Sequence, residues 1–194
     1  MQASTRSSDD RARVVVLAGL LIALGTVLGV VERTALPSLP VPGLRLGLAN
    51  VAVVVAIALS GPRLGLVVSL GRVGMVGALT GTLLGPGWVV ALSGALVAWT
   101  AMSALHRWSD VFSLVGVSTG GAVAHAVAQL AAASALLGTV APFGLLPISM
   151  LSATAAGILT GLISTLVVSR LPVARTGLAR LTDGLEADGA AAGR

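Results

Sequence analysis

Long apolar runs follow one another through most of this 194-residue chain, and few charges separate them. Hydrophobic residues make up 56% of the sequence and charged residues 10%, and the mean hydropathy is +1.00. A soluble domain of this size needs far more charge to cover its surface. The sequence therefore predicts an all-α integral membrane protein whose outer partner is the lipid bilayer.

Composition also limits the functions open to the chain. It contains no cysteine, which excludes a disulfide framework, a thiolate metal site and a thiol nucleophile. The net charge of +5 comes from arginine, and arginine in a membrane protein usually reports orientation. A basic patch interleaved with stacking aromatic residues is absent, so no nucleic acid is expected as a partner.

Six transmembrane helices are predicted within one membrane domain that covers residues 14–170. Proline and glycine mark the junctions between the apolar runs, as at Gly61-Pro62 and Gly85-Pro86-Gly87. The polar residues 1–13 are expected to form a tail that lies against anionic lipid, and residues 171–194 a second, partly disordered tail. The predicted spans are 14–31, 44–60, 64–84, 86–105, 111–137 and 143–169.

The distribution of arginine predicts the orientation of the bundle. An even number of spans places both termini on one side, together with the connections near residues 61–63 and 106–110. That side collects nine arginines, whereas Arg33 and Arg45 are the two on the opposite side. The positive-inside rule then places both termini in the cytoplasm. The cytoplasmic set is Arg6, Arg11, Arg13, Arg63, Arg107, Arg170, Arg175, Arg180 and Arg194.

A few polar side chains interrupt the apolar spans, and these are the candidate binding residues. A charge at membrane depth is costly unless something uses it. His125 and Gln129 are four residues apart and share a helix face, which continues through Ala122 and Ser118 and should line a cavity or a helix interface. The six candidates, expected to surround a pocket open to the exterior, are Glu32, Arg45, Asn50, Arg72, His125 and Gln129.

Arginine side chains at this pocket are suited to an anionic solute, but each candidate has a structural alternative. Arg72 and Arg45 could hold an anion through paired hydrogen bonds. Arg45 could instead be an interfacial arginine that reaches toward the headgroups, and Glu32 could belong to a solvated loop pair. Arg72 could form an internal ion pair with Glu32, and His125 with Gln129 could join helices through hydrogen bonds.

The order of these residues carries a family resemblance. It comprises Glu32, the segment from Pro42 to Asn50, Gly61-Pro62-Arg63, Arg72, the segment from Phe112 to Ser118, the segment from Gly121 to His125, and Gln129. This order resembles the Gx transporter family, historically labelled heptaprenyl diphosphate synthase component I, and is similar to the substrate-binding S components of energy-coupling factor transporters. The chain departs from the family in having Ala126 where asparagine is usual, and Arg45 where lysine is common.

The resemblance implies an S-component-like subunit of a bacterial plasma membrane that captures a small solute and docks on a partner. The partners would be an energy-coupling transmembrane protein and two cytoplasmic ATPases, with Ala18, Gly19 and Ala23 offering a flat docking face on the first helix. The same three residues would serve internal packing equally well. The chain has no phosphate-binding loop of its own, so a partner must hydrolyse ATP.

The inherited label suggests a second function, as a membrane component of a heptaprenyl diphosphate synthase. Chemistry on a diphosphate needs clustered carboxylates that hold magnesium. Asp9-Asp10 is the one acidic pair, and it lies in the predicted N-terminal tail. We therefore expect neither a catalytic residue, nor a metal site, nor a cofactor, and the synthase alternative is retained in a non-catalytic form.

Overall fold

The computed structural model describes residues 2–35 and 47–171, and these form six α-helices without a β-strand. The predicted all-α class is therefore confirmed. Arg45 and the predicted tail from residue 172 onward lie outside the described residues. The helices are α1 (Gln2–Ala35), α2 (Asn50–Ser60), α3 (Pro62–Leu79), α4 (Pro86–His106), α5 (Leu114–Leu137) and α6 (Leu146–Arg170), with a 3₁₀ turn at Ala141–Leu145 before α6.

Five of the six helices are long and apolar enough to cross a membrane, and α2 is the exception. With 11 residues, α2 extends about 16 Å, roughly half the thickness of the bilayer core. A backbone turn precedes it, in which the Asn50 N–H donates to the Gly47 carbonyl at 2.8 Å. Gly47 has a φ of 63°, which favours glycine. The prediction of six full spans is thus not confirmed.

Other helix boundaries also differ from the prediction. Helix α1 begins at Gln2, so the polar residues expected as a tail continue the first apolar helix. Helix α3 ends at Leu79, and a turn leads to Gly85 instead of a further helical turn. Helix α5 begins three residues later than predicted, because the hydroxyl of Ser113 caps it by accepting a hydrogen bond from Gly116 N at 3.3 Å.

The short helix α2 forms the centre of the fold. Its sequence from Val51 to Ile57 contains only valine, alanine and isoleucine, and each of these residues is at most 4% exposed. A helix that is apolar on every side is expected to be buried on every side. The other five helices contact it, and Val68, Met102 and Val117 contribute fully buried side chains to the same core.

Helices α5 and α6 approach so closely that the contact requires glycine on α6. A side chain at Gly157 would place its Cβ 2.5 Å from Thr119 Cα, and one at Gly161 would place it 2.6 Å from Val115 Cα. Next to this contact the hydroxyls of Ser118 and Thr160 share a buried hydrogen bond of 2.7 Å. Small residues spaced four apart, with hydroxyl bonds between the helices, are typical of packing in membranes.

Replacing Gly161 by alanine is expected to destabilise the protein, because the new methyl group meets the backbone of α5 at a distance that no rotamer change relieves. Overpacking of this kind costs about 1–3 kcal/mol, more than the gain in helix propensity of up to about 1 kcal/mol. Thermal unfolding in detergent measures the difference. Gly74→Ala is the control, since nothing lies within 4 Å of a Cβ at that position on α3. Equal midpoints for the two variants would contradict this packing.

Candidate functional site

A cavity of about 300 Å³ lies among all six helices, toward the end of the bundle where α1 and α3 end and α4 and α6 begin, beside the middle of α5. Gly47, Ala49 and Asn50, which lie immediately before α2 and at its first residue, line the same cavity. The other lining residues are Gly29 and Glu32 on α1; Arg72, Val73, Val76 and Gly77 on α3; Trp88 and Ala91 on α4; Ala122, His125, Ala126 and Gln129 on α5; and Ser149, Ser152, Ala153 and Ala156 on α6.

Five of the six candidate binding residues line this one cavity. They come from four helices and are separated by up to 97 positions in sequence, from Glu32 to Gln129. The sixth candidate, Arg45, belongs to the residues that the structure does not describe. The fold thus brings together a carboxylate, a guanidinium, an imidazole and two carboxamides around a space large enough for a small solute.

Arg72 is held on the cavity wall by its neighbours. It is 9% exposed, and its Nη2 donates a hydrogen bond of 2.7 Å to Oδ1 of Asn50, at the start of α2. The methylene stem packs toward Gly25, where an added Cβ would lie 3.3 Å from Arg72 Cδ. Arg72 Nε is buried and has no hydrogen-bond partner among the described residues. The guanidinium is therefore positioned by protein contacts but not fully satisfied by them.

Glu32 joins the end of α1 to the turn before α2. Its Oε1 accepts a hydrogen bond of 2.8 Å from the Gly47 N–H, while its charge attracts Arg72. Within the described ranges no hydrogen bond links Glu32 to Arg72, whose side-chain partner is Asn50. The structure therefore does not have the direct Glu32–Arg72 ion pair that was the structural alternative.

His125 and Gln129 lie on the cavity side of α5 and pack against a residue of α4 that has no side chain. This residue is Gly94, where an added Cβ would lie 2.7 Å from Gln129 Cγ and 2.9 Å from His125 Cε1. The helix face that these residues share has two roles along its length. Ala122 lines the cavity, whereas Ser118, one turn further from it, is buried in the interface with α6. This face therefore lines a cavity along one part and a helix interface along another, which are the two roles expected for it.

Ala126 also lines the cavity, next to His125. It occupies the position at which the family resemblance leads one to expect asparagine. A methyl group therefore stands where a carboxamide would add a donor and an acceptor to the wall. This chain's cavity is less polar at that point than the resemblance implies.

Trp88 and the serines of α6 are cavity residues that the sequence did not single out. The indole of Trp88 packs on Gly77, where an added Cβ would lie 2.5 Å from Trp88 Cδ1. Its Nε1 is buried and has no hydrogen-bond partner among the described side chains and backbone. Ser149 and Ser152 gave no signal, because isolated serines are common in membrane helices.

The proposed docking residues of α1 divide between two faces. Gly19 and Ala23 are exposed, and nothing lies within 4 Å of a Cβ added at Gly19. Ala18 is half-buried and packs against the core around α2. Large apolar side chains such as Leu20 and Val27 surround the exposed pair, and they are 65% and 59% exposed. The outer face of α1 is therefore apolar, with a flat centre at Gly19 and Ala23.

Comparison with known proteins identifies the family. Neither the curated proteins nor the solved structures contain a match to this chain. The family model described as heptaprenyl diphosphate synthase component I matches residues 21–167, a segment that includes the whole cavity wall from Gly29 to Ala156. The chain therefore belongs to the heptaprenyl diphosphate synthase component I family.

Proposed function

We propose that this protein is the solute-capturing membrane subunit of a transporter, and that its cavity binds a small solute through an anionic group. The observation that carries the proposal is Arg72, a buried cation on the cavity wall whose Nε has no partner among the described residues. Burying an arginine at membrane depth costs about 2.5–3.5 kcal/mol on insertion scales. A buried arginine with this cost is kept in a membrane protein where its charge has a function.

The unpaired donors favour a solute that carries a hydrogen-bond acceptor. A buried donor without a partner costs about 1–3 kcal/mol, and an incoming oxygen that accepts from it recovers that cost. Arg72 and Trp88 both line the cavity, and each has one buried donor of this kind, Nε and Nε1 respectively. A carboxylate or phosphate oxygen suits Arg72, because a guanidinium forms strong bonds with these groups. His125 and Gln129 would orient the remainder of the solute from α5.

Several apolar helices place the cavity within a multi-pass membrane protein. In our proposal it opens to the exterior of a bacterial plasma membrane, as the distribution of arginine favours. In this proposal ATP hydrolysis drives release to the cytoplasm, and this chain's sequence has no phosphate-binding loop to supply it. A coupling membrane protein with ATPases would supply it, docking on the flat apolar centre of α1 at Gly19 and Ala23.

The family description favours a second candidate function, a non-catalytic membrane component of a heptaprenyl diphosphate synthase. In that case the soluble partner would be a prenyltransferase, and the same cavity would hold part of a diphosphate-bearing substrate or product. The two candidates differ in the partner that the chain binds. They can therefore be separated without knowing the solute.

Purification of the chain from its native membrane in mild detergent tests the choice. We expect ATPases and a second membrane protein to co-purify, and Gly19→Leu to remove them, since the new side chain projects outward without an internal clash. Ala131→Leu, on an exposed position of α5, is the matched control. Co-purification of a soluble prenyltransferase that gains activity from this chain would instead establish the synthase component.

A further inference from the structure

The cavity wall carries two opposite charges that face different neighbours. Arg72 on α3 is bound to Asn50, and Glu32 on α1 is bound to the backbone of Gly47. Their charges attract, yet no hydrogen bond joins them among the described residues. The described cavity residues therefore include a guanidinium and a carboxylate, each with bonding capacity left for a ligand.

Glu32 has acceptor sites beyond the one that Gly47 uses. An ionised carboxylate offers about four lone-pair sites on two oxygens. The described residues donate one hydrogen bond to it, from Gly47 N. Glu32 is half-buried and lines the cavity, so the remaining sites are open to a solute that enters it.

A solute with a single charge fits this pair poorly. A simple anion is attracted by Arg72 but repelled by the Glu32 carboxylate. A simple cation is attracted by Glu32 but repelled by Arg72. Repulsion of this kind is stronger inside a protein than in water, because the effective dielectric constant is lower. A zwitterion, which is neutral overall, offers an anionic group to Arg72 and a cationic group to Glu32. The formal charges of Arg72 and Glu32 likewise sum to zero.

Part of the cavity wall is composed of small apolar groups. Val73 and Val76 on α3, and Ala153 and Ala156 on α6, line the same cavity. The volume of about 300 Å³ is at the lower end of the range for small-molecule pockets. These features fit a compact carbon skeleton that separates two polar ends.

We propose that the solute is zwitterionic, with an acidic group that Arg72 binds and a protonated amine or similar cationic group that Glu32 binds. This inference rests on the proposed function, because it names the class of solute that the same cavity takes. Glu32 then acts as the specificity residue that separates zwitterions from plain acids. Arg72 provides affinity for the acid in both classes.

A matched set of probes tests the assignment in lipid nanodiscs. The probes are the para and meta isomers of (aminomethyl)benzoate, the acid para-toluate and the amine para-methylbenzylamine, with binding measured by calorimetry. We expect at least one zwitterion to bind the wild type at least about tenfold more tightly than either singly charged probe. In Glu32→Gln the advantage over para-toluate should disappear, because the amide oxygen still accepts from Gly47 N but the charge is lost.

Asp110→Asn is the control for charge removal, because Asp110 is exposed and does not line the cavity. It should keep the preference for the zwitterion. Wild-type protein that binds para-toluate as tightly as both zwitterions, or a Glu32→Gln variant that keeps the preference, would overturn the zwitterion assignment and leave solute capture standing. Absence of binding by every acidic probe, or binding that survives replacement of Arg72, would overturn both proposals.

Discussion

Replacing Arg72 by methionine is expected to weaken the binding of an acidic probe such as para-toluate by about 10- to 100-fold. Hydrogen bonds to charged groups contribute about 1.5–3 kcal/mol, which corresponds to that range of affinity. Methionine retains an unbranched stem that can pack toward Gly25 but removes every donor of the guanidinium. Calorimetry in nanodiscs measures the loss against wild-type protein.

The bond from Arg72 to Asn50 allows binding to be separated from stability. Arg72→Met leaves the Asn50 side chain without that partner, and Asn50→Leu leaves Arg72 without it, so each single variant should unfold at a lower temperature. The double variant replaces both groups by apolar ones and should recover part of the stability, since such replacements are often nearly neutral. Binding should stay lost in the double variant.

Recovery of both properties together would contradict this interpretation. If the double variant bound the acidic probe like the wild type, the guanidinium would serve helix packing and not the solute. If Arg72→Met alone bound normally, the same conclusion would follow without the cycle. The structure instead places the guanidinium on a cavity wall with Nε unpartnered among the described residues, and this favours a role in binding.

Filling the cavity from α5 is expected to abolish binding while leaving the fold intact. Ala126→Phe adds an aromatic ring at a position that lines the cavity beside His125. The ring would occupy part of the space of about 300 Å³ and displace the solute, so we expect the affinity of the best probe to fall at least about tenfold. The ring also gains apolar contacts in a space that is otherwise open.

Thermal unfolding of Ala126→Phe should therefore remain close to that of wild-type protein. Ala131→Phe supplies the control, because this residue lies on the exposed side of the same helix and does not line the cavity. It should leave both binding and unfolding unchanged. Normal binding by Ala126→Phe would show that the solute occupies a different part of the molecule.

The cavity residues were predictable because polar side chains are conspicuous in an apolar sequence. Arg72, His125 and Gln129 interrupt long apolar runs, and the burial cost of such groups brings them together. The helix period placed His125 and Gln129 on one face. Asn50 lies at the start of a helix that is apolar on every side, and the structure places that helix at the centre of the core.

The remaining features depend on three-dimensional contacts that the sequence does not encode locally. A tryptophan near a helix start has an ordinary interfacial explanation, so the fit of Trp88 on Gly77 across two helices gave no separate signal. The gap that Gly94 leaves for His125 likewise depends on how α4 and α5 approach. The turn at Gly47 shortened α2, because a φ of 63° interrupts the apolar run before Asn50.

Mass spectrometry of small molecules retained by the purified protein tests solute capture most directly. Wild-type protein and Arg72→Met would be purified in parallel from the native host into nanodiscs, and their bound small molecules compared after denaturation. We expect the wild type to retain a solute that bears an acidic group, and Arg72→Met to have lost it. Identical small-molecule content in two equally folded samples would contradict the assignment of this cavity as the binding site.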